Sequence, residues 1–467
     1  MKQNIFNRLL ILLVLIGLLG SCKKDFLNRN PYTSLPPNLA LGTEADLLVA
    51  LRGAYAGLRN TDLFGRTVPV AGDLYPDNVY VSVKNSGRYI QFNTYNMVVS
   101  DGNVTGFWNA AYNTILRANN IINANVASSA NVNQYKGEAY AIRALCYFYL
   151  VRYFAKPYTD DPTSPGVPII LSYDVTQQAS RSSVGDVYNQ IISDLTNAYN
   201  NMTKFTSSGQ FSKYAARALQ AKVYLYMANN ANAKTAALDV INNSGFTVVN
   251  TSNFVSYWGS GAVRTDKLET LFEVSSDAIN NNGYDGLANI YNQLGYGDLL
   301  CSDALTALYS TTDVRYTTWL SFGTRGGLPA TFINKYKNVF GSADPDDTKI
   351  MRMSDVYLIA AEASLPSDET SARTYLNYVV SRRDPAFPGY TSTGVQLFND
   401  IITERRKELA FEGDRYGDLS RLKLDINRSN NYPGIALTLP YSSFKRLFPI
   451  PQQELDANKN MVGNPGY

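Results

Sequence analysis

SKYAARALQAKVYLYMANNANAKTAALDVINNSGF, Ser212 to Phe246, reads as two helices folded back on each other. Small alanines alternate with large rings through both halves, and Gly245 closes the second. Side chains three and four apart share a helix face, so alanines on that face let two antiparallel helices approach closely.

The same design returns downstream. MRMSDVYLIAAEAS, residues 351–364, is followed by DETSARTYLNYVVSRRD, residues 368–384. Pairs of this kind suit tetratricopeptide-type hairpins. No strict period of about 34 residues runs through the chain, so the expectation is an all-α core of degenerate, interrupted hairpins.

More helices extend it. Thr43 stands as an N-cap with Asp46 three positions on, ahead of Leu47, Leu51, Tyr55 and Leu58 at helical spacing. TGFWNAAYNTILRANNII puts Trp108, Tyr112, Ile115 and Ile122 on one stripe, with Trp108 expected in the core. YKGEAYAIRALCYFYLVRYFA is stopped by Pro157, and SVGDVYNQIISDLTNAY carries Val184, Val187, Ile191 and Leu195. Two stretches interrupt the helices, near 59–104 and 246–347. Both are rich in Gly, Asn, Asp and Tyr, with short β-like runs such as VYVSV and TLFEVSS. Loops of this size in a compact protein are usually functional or partly disordered.

The amino end has a different character. A basic start, MKQNIFNR, precedes the uncharged run Leu9 to Gly20. That is the layout of a secretory signal, and the run is too short for the ~20 residues of a membrane anchor. Leu19-Gly20-Ser21-Cys22 resembles a bacterial lipobox. The expectation is removal of residues 1–21, a lipidated Cys22, a polar tether over 22–40 and a single domain over 41–467. Two or three acyl chains hold a protein at a membrane where one does not.

The bulk numbers narrow the function. Loss of Lys2 and Arg8 takes the formal charge from +3 to +1, which leaves no basic field for nucleic acid. There is no histidine among the 467 residues, which removes Ser-His-Asp and Cys-His catalysis and the commonest metal ligand. Cys146 sits in an apolar helix and Cys301 lies far from it; both are expected as free thiols. Tyrosine is the compositional outlier, at 34 against 3 Trp and 20 Phe. A tyrosine offers a flat apolar face with a hydroxyl at its rim, which suits helix-hairpin cores and sugar stacking alike.

ITERRKELAFEGDRYGDLSRLK, Ile402 to Lys423, resembles the signature helix of the SusD/RagB family, and the closing LFPIPQQELDANKNMVGNPGY resembles that family's chain end. GEAYAIRALCYFYLVRYFAKPY, KYAARALQAKVYLYMAN and SDVYLIAAEAS are similar to its helix-hairpin segments. The resemblance implies a mainly all-α fold, with tetratricopeptide-like hairpins forming a superhelix and a loop-rich ligand-binding side containing short β segments. It also implies a lipoprotein of the outer membrane, facing outward. Such a protein binds a nutrient, an oligosaccharide first and a peptide as the alternative, and passes it to a SusC-like TonB-dependent barrel. It implies no cofactor and no catalysis.

Candidate ligand residues fall in the loop-rich stretches. One set is Asp77, Asn78, Tyr80, Tyr89 and Asn93, within Asp73 to Asn96; the other is Tyr284, Tyr291, Tyr296, Arg315 and Trp319, within Asn280 to Phe322. A sugar ring has an apolar C–H face and a belt of hydroxyls, so aromatic platforms take the face while amides and charged groups take the belt. Competing classes are a protein-only adaptor built on the hairpins, and a hydrolase using two carboxylates. For the latter, Glu404 and Glu408 share a helix face, but cationic neighbours such as Lys407 would keep them ionised, so fold maintenance is the expected role. The acidic loop SADPDDT, Ser342 to Thr348, lacks the spaced Gly and terminal Glu of an EF-hand. It reads as a solvated turn, with structural calcium as the lesser reading.

Overall fold

A computed structural model describes Gln3 and residues 41–467, apart from 175 and 434. The signal segment, Cys22 and the tether lie outside the described residues. Nine helices of twelve residues or more form the frame among the described residues. They are α1 Glu44–Leu58, α2 Gly102–Asn123, α3 Ala130–Phe154, α4 Val184–Asn201, α5 Lys213–Tyr226, α6 Asn230–Asn243, α7 Met353–Ser364, α8 Glu369–Val380 and α9 Gly394–Glu408. Each packs against the next in chain order, including α6 against α7 across more than a hundred intervening residues. The fold is mainly helical with tetratricopeptide-like pairing.

Local chemistry starts these helices where the sequence indicates. Thr43 Oγ1 accepts from Asp46 N–H at 3.2 Å while the Asp46 carboxylate accepts from Thr43 N–H at 2.9 Å, a reciprocal cap worth about 1 kcal/mol. Ser129 and Ser183 cap α3 and α4 one way only, their hydroxyls accepting from Val132 N–H and Asp186 N–H. The α5–α6 hairpin turns through Ala228, held at φ +54, and Asn229 Oδ1 accepts from Asn232 N–H to start α6. α3 is the central column. Ala139, Ala141 and Ala144 are buried along it, which brings α2 and α4 close. Trp108 is buried, its ring edge-on to Phe154 at 4.9 Å.

The two longest excursions between these helices lie between α1 and α2 and between α6 and α7. The two excursions join in one antiparallel sheet of order β1–β3–β5–β4: Val79–Val81, Leu299–Cys301, Leu328–Ile333 and Leu320–Arg325. β1 comes from the first excursion and the other three strands from the second, with Val79 opposite Cys301 and Val81 opposite Leu299. The β4–β5 hairpin turns through Gly326 and Gly327, both at positive φ, with Arg325 opposite Leu328. A second ladder pairs β2, Thr270–Val274, with β6, Thr348–Arg352. Cys146 and Cys301 are buried free thiols.

The acidic loop is a correction. It was expected to be solvated, yet Asp347 is 1% exposed and accepts from Ser276 N–H at 2.6 Å, while Asp346 accepts from Asn338 N–H and Nδ2–H, each at 2.8 Å. These carboxylates fold inward to satisfy backbone donors of a neighbouring loop. Among the described residues, no group of three or more His, Cys, Asp or Glu side chains is arranged to hold a metal ion, and no helix is long and apolar enough to cross a membrane.

Candidate functional site

The charge-dense segment after α9 sits at the centre of the molecule. Glu408 is buried and receives Arg315 at 2.9 Å, Arg352 at 2.7 Å and Arg383 at 2.9 Å. Burial alone would raise its pKa, but Arg383, Arg352 and Arg315 hold the carboxyl well below the usual range. Glu412 and Glu269 extend the network to Lys335 and again to Arg352 and Arg383. A carboxylate held ionised among three guanidinium groups cannot serve as a general acid. The network ties the second excursion to α9 and is structural.

This burial also reassigns most of the sequence candidates. Arg315 is fully buried between Asp313, Glu404 and Glu408. Trp319 is fully buried, with the Lys335 ammonium 3.7 Å from its ring centre and Trp258 edge-on at 5.2 Å. Tyr291 is fully buried and stacked on Tyr336. Asp77 is clamped by Arg415 at 2.7 and 2.8 Å and by Arg406 at 3.3 Å. Asn78 is bonded to Asp73 and Arg406, and Asn93 accepts from Val81 N–H. As placed, none of these six presents a free surface to a ligand; they are where two loop systems dock on the helical frame.

Tyr89 is also a correction, but an instructive one. Its ring is 2% exposed at a left-handed backbone position, φ 59. Its hydroxyl accepts from Arg66 Nε at 2.7 Å and pairs with Thr67 Oγ1 at 2.9 Å. It braces Arg66 from below. Arg66 in turn donates from Nη1 to Asp285 Oδ1 at 2.6 Å, and Arg88 donates from Nη2 to the same oxygen at 3.1 Å. The Arg88 guanidinium lies over the Tyr296 ring at 4.0 Å and reaches the Tyr296 hydroxyl at 3.1 Å.

Tyr284 and Tyr296 therefore come together at the surface. Their ring centres are 6.4 Å apart, and Tyr284 meets Phe340 at 5.0 Å. Tyr284 is 58% exposed and Phe340 42%. Gly283, at φ +56, permits the tight turn that projects Tyr284 outward. A Cβ on Gly65 would lie 2.1 Å from the Arg59 carbonyl oxygen and 2.3 Å from Asn282 Nδ2, so only glycine lets the two excursions approach closely enough to assemble this ledge. Tyr296 is fixed from behind, its N–H donating to Asn289 O at 2.6 Å. The result is three rings edged by two arginines and a carboxylate.

Tyr80 lies elsewhere, on the face of the four-stranded sheet. Its ring, 5% exposed, packs against Tyr432 at 5.3 Å and floors a cleft of about 520 Å³. Val83, Phe322, Arg325, Leu328 and Asn431 line its walls. Periodicity did not point to Phe340, Arg66, Arg88, Asp285, Phe322 or Leu328. The Gly326-Gly327 pair between two apolar runs is a hairpin signal that would have placed the last two on a turn's flanks. The others are single residues in irregular loops, with no local pattern to mark them.

Comparison with known proteins agrees with this architecture. A family profile described as "Starch-binding associating with outer membrane" matches residues 25–225, and a profile described as "SusD family" matches residues 324–467. The chain is 29% identical to SusD-like protein P2 of Formosa agariphila, covering all of both chains. A solved SusD superfamily protein of Bacteroides thetaiotaomicron superposes with a TM-score of 0.83 at 30% identity, covering 91% of this chain and all of the other. A structure described as a laminarin-binding SusD-like protein superposes with a TM-score of 0.72 at 21% identity, covering 91% of this chain and all of that one.

Proposed function

Given that this chain belongs to the SusD family, a family of binding proteins, we propose that it captures an oligosaccharide on the Tyr284–Tyr296–Phe340 ledge without altering it chemically. The observation that carries the reading is a pair of exposed rings, Tyr284 and Phe340, clustered with the half-buried Tyr296 beside hydrogen-bonding charges. Soluble proteins seldom leave such rings in water without use, and the pairing of apolar face with polar edge matches a sugar's own two-sided chemistry. Tyr284 and Phe340 take C–H faces, while Arg66, Arg88 and Asp285 address hydroxyls. Tyr80 contributes from the neighbouring sheet. The description of the matching family as starch-binding and the laminarin-binding structural relative support a glycan over a peptide.

The lipobox-like Leu19-Gly20-Ser21-Cys22 and the family's association with the outer membrane support a chain anchored there through acyl groups on Cys22, holding its domain outside the cell. Cargo would then pass to a SusC-like TonB-dependent barrel. Calorimetry of the soluble protein, lacking residues 1–22, against neutral and acidic oligosaccharides and against oligopeptides tests the reading. Saturable glycan binding that Tyr284→Ala weakens supports it. Binding of peptides alone replaces it with the peptide reading.

A further inference from the structure

We propose that the sheet cleft and the ring ledge are two parts of one groove, so that the ligand is an extended oligosaccharide whose several units run from Tyr284 past Arg325 into the cleft. The inference rests on the ledge being a sugar platform and adds a second platform to it.

Two connections join the parts. The segment Ser82–Arg88 walls both: Ser82 and Val83 line the cleft, while Ser86 and Arg88 stand at the ledge. Arg88 lies five positions after Val83, and such a stretch reaches at most about 17 Å when fully extended. The second connection is Arg325, which lines the cleft and bonds both to the Ser82–Arg88 segment and to the Tyr296 backbone at the ledge. Its Nε donates to Lys84 O at 3.1 Å, Nη1 to Gln293 Oε1 at 3.1 Å, and Nη2 to Tyr296 O at 2.6 Å. The β4–β5 turn is pressed against the same segment, since a Cβ on Gly326 would lie 2.7 Å from Val83 Cγ2.

The cleft repeats the chemistry of the ledge. Phe322 is 56% exposed and Leu328 52%, an apolar pair that a sugar's C–H face would cover. Asp303, Asn431 and Ser82 supply acceptors and donors around them. Tyr80, Leu300, Ala330 and Tyr432 form a closed apolar layer beneath, so the floor is rigid rather than collapsible. Once one end of an oligomer is seated, the other is delivered at high effective concentration, and affinity should rise with chain length without any change in the individual contacts.

The test is a length series measured by calorimetry on the soluble protein lacking residues 1–22: laminari-oligosaccharides from the disaccharide to the heptasaccharide, with malto-, xylo- and oligogalacturonate series in parallel. The expected result is an affinity at least tenfold higher for the heptasaccharide than for the disaccharide in the series that binds. The double variant Phe322→Ala/Leu328→Ala should remove most of that gain, so that affinity no longer climbs with chain length. Leu328→Ser alone, at an exposed turn flank, should act in the same direction if the double variant folds poorly. Tyr284→Ala should weaken every length. Flat affinity across the series, or a cleft variant with undiminished heptasaccharide binding, overturns the groove while leaving the ledge intact. Glycan binding indifferent to Tyr284→Ala, or no glycan binding at all, overturns the ledge and the groove together.

Discussion

Gly72 and Gly413 meet backbone to backbone: a Cβ on Gly72 would lie 2.0 Å from the carbonyl oxygen of Gly413. Gly72 belongs to the fully buried helix Thr67–Leu74 of the first excursion, and Gly413 follows α9 at φ +85, itself pressed on Pro69. Gly72→Ala must push these segments apart. We expect a loss of about 1–3 kcal/mol, read as a lower denaturant midpoint, as for other overpacked cores. An unchanged midpoint would mean the contact is looser than it stands.

Trp319 and Tyr284 should part company on mutation. Trp319→Ala empties a fully buried site among Trp258, Phe254 and Lys335 and should cost about 3–5 kcal/mol of stability. Tyr284→Ala touches an exposed ring, so the melting temperature should stay put. Glycan affinity should fall five- to tenfold, the equivalent of about 1 kcal/mol. Paired thermal melts and titrations of the two variants separate structural from ligand-facing aromatics.

Removing the charge of Glu408 should be severe. Glu408→Gln leaves Arg315, Arg352 and Arg383 facing a neutral amide in a dry interior. Breaking one partner of a buried ionic cluster costs about 3–5 kcal/mol. Chemical denaturation should show that loss, with the residual folded fraction binding glycan at wild-type affinity.

Asp347 gives the fold a pH slope. Burial, aided by the neighbouring Glu273 charge, pushes its carboxyl up to about 9, and its Oδ2 has no hydrogen-bond partner. A folded pKa above the unfolded one means the protonated form is favoured on folding. This contribution is complete below the unfolded value near 4 and is lost as pH rises through about 9. Asp347→Asn should therefore raise the melting temperature at about pH 8 and change it little at about pH 4. Parallel pH–stability curves for the two proteins would contradict the assignment.

The helices were legible because their information is local. Thr43 caps within three residues of itself, and the alanine-and-ring faces of α5 and α6 repeat at helical spacing whatever lies around them. The ledge was half legible. Tyr284 and Tyr296 were marked by composition, but Tyr89, Arg315 and Trp319 carried the same kind of signal and turned inward. An aromatic or an arginine in a polar loop has no sequence feature that says whether a distant carboxylate or an indole will cover it.

The amino-acid sequence by itself determined the helical hairpins and the Thr43 cap, because each depends on residues a few positions apart. The tertiary structure alone decided which loop residues face water. That depends on Glu408 meeting Arg315, 93 positions away, and on Val79 pairing with Cys301 across 222. Such pairings exist only once the helical frame has brought the two excursions together and dried the space between them.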